Sequence, residues 1–280
     1  MQTDPARLSE RPISSPSRPG PTMQDLAASL LQHLPQAPDL WLLAAAIVIA
    51  AMVRGFAGFG AAMIFMPVAS TVIEPAAAAA GFLILDWFVT VPMLLGAVRR
   101  CDWPTVAPVT LAAMLTVPVG AAMLAHADVL ALRWSLSVIV LGAVSLLMLG
   151  WRYHGVPGRA TSLGVGAVAG VLSGVAQVSG PPVVVFWAAG PQPAAIIRAN
   201  LITFFAIVSL AAFTAFLANG FYTLQVLALV MVAAPLYGLG IFLGARLFGA
   251  AHQDAYRPVA FGIILMSALT SLPALDGWLR

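Results

Sequence analysis

Arg54-Gly55-Phe56-Ala57-Gly58-Phe59-Gly60, closed by Pro67, is a basic, glycine-rich stretch inside an apolar run long enough to cross a membrane. A run that only anchors a chain in lipid needs neither a guanidinium nor closely spaced glycines. A charge at the bilayer centre costs about 2.5–3.5 kcal/mol on insertion scales, and glycine weakens a helix interior. A second stretch, Gly170-Val171-Leu172-Ser173-Gly174 running on to Gly180-Pro181-Pro182, lies in the other half of the chain. Gly55 and Pro67 are 12 positions apart, and Gly170 and Pro182 are 12 apart as well.

Composition gives these stretches their solvent. The chain has 280 residues, 61% hydrophobic and 8% charged, whereas a soluble domain carries roughly 25% charged residues. Most of this surface must therefore face a lipid bilayer. The net charge of +3 is due to arginine alone, since the chain has no lysine. These arginines sit at segment ends without an aromatic-basic cluster, which excludes a nucleic-acid partner. Cys101 is the only cysteine, and the four histidines are far apart, so no metal site or cofactor is expected. There is no nucleophile elbow, zinc-protease helix or Walker lysine, so the chain does not read as an enzyme.

Eight apolar segments follow a proline-, arginine- and serine-rich tail, near 40–66, 76–98, 104–125, 132–151, 161–188, 194–218, 223–248 and 256–273. The predicted fold is an all-α polytopic membrane protein of two homologous four-segment halves, with the first and fifth segments broken or re-entrant. Its parts are a disordered or amphipathic tail (1–39), a first repeat (40–151), a linker (152–160), a second repeat (161–273) and a short end (274–280). Four echoes in the same order support duplication. They are the two glycine stretches, Glu74-Pro75-Ala76-Ala77 with Gln192-Pro193-Ala194-Ala195, Pro118-Val119-Gly120 with Pro235 to Gly240, and Ala125-His126-Ala127-Asp128 with Ala251-His252-Gln253-Asp254. Eight full crossings would put both termini in the cytoplasm by the distribution of arginine. Re-entrant hairpins at the first and fifth segments would invert the halves and shift that bias.

Repeated halves with an interrupted segment at the same place point to a transporter's binding site. Gly55, Gly58 and Gly60 can unwind the chain and turn amide N–H groups toward one point, with Gly174 and Gly180 doing so in the second half. The helices restarting after each break would aim their positive ends at an anion. Close packing of small residues is the other reading of the same glycines. Arg54 would either hold the anion directly, as a forked donor, or form a structural ion pair with Asp86. Gln177 and Ser179 would donate hydrogen bonds in the second break, or tie helices together. Arg198 and Asn200 would close the site from the second half, or Arg198 would snorkel to the headgroups. Asp86 or Glu74 are the candidates to carry a proton if H+ is the coupling ion. A homo-oligomer is compatible with the sequence. The tryptophans fall mostly near span ends, with Trp87 the exception.

The two paired stretches, together with Arg198-Ala199-Asn200 opening the sixth segment, resemble the signature of the TauE/SafE family of sulfite exporters and related anion permeases. The long proline-rich tail and the spacing around Ser173-Gly174 depart from the common pattern. The resemblance implies a secondary transporter moving sulfite, an organosulfonate or a similar small organic or sulfur-containing anion across the inner membrane of a bacterium. The anion would lie between the two glycine breaks. A passive anion channel and a membrane scaffold subunit without flux are the alternatives.

Overall fold

The computed structural model describes residues 35–57, 59–149, 158–188 and 192–250, with 32, 262, 265, 266, 269 and 272–275. Nine helices carry the described chain: α1 Ala37–Ala57, α2 Ala61–Ala69, α3 Pro75–Val98, α4 Trp103–His126, α5 Val129–Met148, α6 Arg159–Ala176, α7 Gly180–Ala188, α8 Ala194–Ala218 and α9 Leu224–Ala250. Seven of them, all but α2 and α7, are long and apolar enough to cross a membrane. This is a polytopic membrane protein, and its large exposed apolar side chains, Leu95 and Trp41 among them, have lipid as their natural solvent. The eighth apolar segment, the N-terminal tail, most of the linker and Gly58 lie largely or wholly outside the described residues.

Local sequence sets the helix ends. Pro75 opens α3 and Pro104 occupies the first turn of α4, where a missing N–H costs nothing. Asp128 accepts the amides of Leu130 and Ala131 at 2.9 and 3.3 Å, capping α5. The two breaks fall where the glycine stretches put them. Gly60 precedes α2 with φ 93°, a conformation glycine takes without strain. Gln177 ends α6 in the left-handed region at φ 58°. There its N–H and that of Val178 bond to the carbonyls of Ser173 and Leu172 at 3.0 and 3.3 Å, closing the carbonyl end of α6.

Contacts between helices fix their directions. α1 and α9 run side by side in one sense, with Val48 and Ala51 against Gly240 and Met52 against Gly244. α4 and α6 do the same, with Val109, Ala113 and Val117 against Gly166, Gly170 and Gly174. Thus the first long helix of each half packs on the third long helix of the other. α3 runs with α1: Leu40, Leu43 and Ile47 share an apolar cavity with Ala77, Gly81 and Leu85, and farther along Arg54 meets Asp86 and Thr90. α2 comes back the other way. Its start lies beside Asp86, Phe65 stacks on Phe82 at 5.7 Å, and Ile73, just past its end, shares the apolar cavity with Leu40. The first broken segment is therefore a hairpin that enters and leaves at one end of the bundle.

The second hairpin enters from the opposite end. α6 starts level with the start of α4, and Asp102, just before α4, reaches the start of α8. Its backbone N–H donates to Asn200 Oδ1 at 2.8 Å, and Gln192 Nε2 donates to its Oδ2 at 2.9 Å. α3 ends where α8 begins, so these two run in opposite directions. Asp102 is a half-buried joint between halves. Trp187, expected near an interface, is buried and packs edge-on against Phe186 and Phe204.

Candidate functional site

The tips of the two hairpins meet in the middle of the bundle around a small, half-open cavity of about 40 Å³. Around it stand the start of α2 (Gly60 to Met63), the end of α6 with the start of α7 (Gln177, Val178, Gly180, Pro181), and Arg54, Asp86, Phe59, Phe82 and Phe205. Both short helices begin here, and the first amides of a helix have no partner within it. Pro181 and Pro182 lack an N–H, so α7 offers fewer donors than α2, whose Ala61 and Ala62 line the cavity.

Arg54 and Asp86 form the polar wall. Arg54 Nε lies 2.8 Å from Asp86 Oδ1, and its Nη2 donates to Oδ2 at 2.9 Å. This is the two-pronged geometry that makes arginine–carboxylate pairs strong. Nη2 also donates to Thr90 Oγ1 at 3.0 Å, while the Thr90 hydroxyl donates to the Asp86 carbonyl at 2.9 Å. From α9 the Tyr237 hydroxyl donates to Asp86 Oδ1 at 2.9 Å. Tyr237 is buried, and its ring stands edge-on to Phe82 at 6.1 Å. The guanidinium lies 5.8 Å from the centroid of Phe205 on α8, within reach of the ring's negative face. Three non-adjacent helices, α1, α3 and α9, thus converge on one carboxylate.

The other candidates separate into two groups. Gly60, Gln177 and Gly180 line the cavity, and Ser179 is buried immediately before Gly180. The Gln177 side chain turns back, its Nε2 donating to Ser173 O at 2.8 Å. Gly55 and Gly174 do not line the cavity. A side chain at Gly55 would strike the Ile241 carbonyl, and one at Gly174 would strike Val117 and Gly120, so both serve close helix packing. Arg198 is exposed and is not among the residues lining the cavity. Asn200 is fully buried and joins α8 to the start of α4. Gly58 lies outside the described residues. Sequence reasoning missed Tyr237, Thr90, Phe59 and Phe205. Tyr237 was detectable as a tyrosine inside an apolar segment, since a buried hydroxyl calls for a partner. Thr90 was detectable from its i, i+4 spacing to Asp86.

The family model of the sulfite exporters TauE/SafE matches residues 43–271. The chain belongs to this family. It is also similar to a probable sulfite/organosulfonate exporter TauE of Cupriavidus necator, 30% identical over 230 residues, which cover 79% of this chain and 89% of the relative. No solved structure matches the chain. The matched span takes in both hairpins, the Arg54–Asp86 pair and Tyr237, so the TauE/SafE match covers the whole cavity.

Proposed function

We propose that this TauE/SafE protein is a secondary transporter of sulfite, an organosulfonate or a similar small anion across the bacterial inner membrane, and that the anion binds where the hairpin tips meet. The observation that carries the reading is the convergence of two helix starts and a guanidinium on one small cavity. Helix starts attract anions through their unpaired amides and aligned dipoles. No nucleotide motif is found in the sequence, so an ion gradient would drive the cycle.

The helix directions support a topology in which, among the described residues, α3, α4, α5, α8 and α9 cross the membrane. The α1–α2 and α6–α7 hairpins would enter from opposite sides as inverted halves, the arrangement known from other transporters. It takes the re-entrant of the two arrangements open from the sequence, in place of eight full crossings. Of the described arginines outside the cavity, Arg99, Arg100, Arg159, Arg198 and Arg246 then gather on one side and Arg133 lies on the other, and the positive-inside rule makes the first side the cytoplasm. The α4–α5 and α8–α9 turns face outward. A cysteine in place of exposed Thr223, in a Cys101→Ser background, is expected to react with an impermeant maleimide added to intact cells. Under eight crossings that position is cytoplasmic, and only permeabilised cells would label.

The transport reading itself is tested by flux into liposomes holding the purified protein. Saturable uptake of sulfite or methanesulfonate, exceeding that of acetate, is the expected result. Flux linear in concentration would indicate a channel. No flux of any anion from folded protein would leave the scaffold reading.

A further inference from the structure

We infer that the cavity is matched to singly charged anions and excludes doubly charged ones, with Asp86 as the residue that sets this limit. The inference rests on the anion reading above and specifies its substrate class. The charges at the site are few. Among the described residues, the charged side chains lining the cavity are Arg54 and Asp86, and they are joined in a two-pronged pair. Their charges cancel at short range. The other elements around them bring no further charge: α9 presents the Tyr237 hydroxyl to Asp86, α8 presents the ring of Phe205, and the second hairpin presents Gln177, Val178, Gly180 and Pro181.

What remains for the ligand is the partial positive end of α2 and that of α7, each equivalent to about half a charge. At the carbonyl end of α6, which opposes them, the oxygens of Leu172 and Ser173 are taken up by the amides of Val178 and Gln177 and by the Gln177 side chain. Two helix starts offset about one negative charge. The cost of desolvating an ion rises with the square of its charge, so a dianion loses far more hydration than these dipoles return. It would also face the Asp86 carboxylate. A monoanion bearing a hydroxyl has the opposite experience, because the same carboxylate can accept its proton in a hydrogen bond. Hydrogensulfite in its hydroxyl form fits this description, a sulfonate meets the limit of one charge without the hydroxyl, and sulfate and fully ionised sulfite do neither.

The test compares liposome uptake of methanesulfonate, sulfate and sulfite, with equal pH inside and out, across the pH range where hydrogensulfite loses its proton. Methanesulfonate stays a monoanion throughout and reports any titration of the protein itself. Sulfate flux is expected at or below about one tenth of methanesulfonate flux, a discrimination of one decade. The ratio of sulfite to methanesulfonate flux is expected to fall about tenfold per pH unit once the dianion dominates. Asp86→Asn is expected to raise the sulfate-to-methanesulfonate ratio about tenfold or more, because it unmasks the Arg54 charge. If that variant does not fold, the two wild-type ratios decide. Sulfate carried as well as methanesulfonate, or a sulfite ratio that is flat or rises with pH, overturns the valence limit while leaving the transporter reading intact. No flux of any of the three overturns both.

Discussion

Arg54→Ala is expected to reduce anion flux at least about a hundredfold and to lower the thermal stability of the protein. Two losses are combined in that variant. Removing one partner of a buried ion pair costs about 3–5 kcal/mol, mostly through the charge left behind. Here that charge is Asp86, which would keep the Tyr237 hydroxyl and lose both Arg54 prongs. The second loss is the only cationic side chain lining the cavity among the described residues. The double variant Arg54→Ala/Asp86→Ala separates them, since paired residues are non-additive by the energy of their interaction. It is expected to recover much of the lost stability, measured by melting in detergent, and only part of the flux, carried by the two helix starts that remain. Full recovery of both would mean that Arg54 serves only to neutralise Asp86.

Gly170→Leu is expected to yield no folded protein in the membrane. A side chain at Gly170 would meet the Ala113 carbonyl and the Thr116 hydroxyl, and neither belongs to a flexible side-chain end. Gly166, Gly170 and Gly174 form one stripe along α6, facing Val109, Ala113 and Val117 on α4, and Gly120 of α4 packs back against Val171. Without a hydrophobic driving force between helices in lipid, such close backbone approach is a main source of association. Overpacking a tight core by less than this costs about 1–3 kcal/mol, and a leucine here would force α4 from α6 along with the hairpin that α6 supports. Gly142→Leu is the control: nothing lies within 4 Å of that position, and normal accumulation is expected. If both variants accumulated alike, the packing role of the α6 stripe would be wrong.

The sequence carried much of this fold. The segment placed at 194–218 coincides with α8, and that at 76–98 differs from α3 by one residue at its start. Pro75 and Pro193 set those starts by local chemistry, which a sequence displays directly. The breaks were visible as glycines, yet their division of labour was not. Gly55 packs against α9 while Gly60 lines the cavity, and the difference depends on a helix nearly two hundred residues away. The same holds for the sense of the hairpins. A long apolar segment with a break reads equally as one interrupted crossing or as a limb that turns back. Only the parallel run of α1 beside α3 and α9 separates the two. The Arg54–Asp86 pair was one of two readings because two costly charges in apolar segments suggest each other, whereas the Tyr237 contact needed the third helix in place.

The most direct test of the proposed site is protection of a single cysteine at the cavity. Phe59→Cys in a Cys101→Ser background puts a thiol on the cavity wall beside Gly60 and Gly180. Its reaction with a small thiol reagent would be timed at rising methanesulfonate concentration, with the Thr223→Cys protein as reference. The account predicts that methanesulfonate slows reaction at position 59, half-maximally at the concentration that half-saturates flux, and leaves position 223 unaffected. Saturable flux accompanied by an unchanged reaction rate at position 59 would place the anion elsewhere and contradict the account.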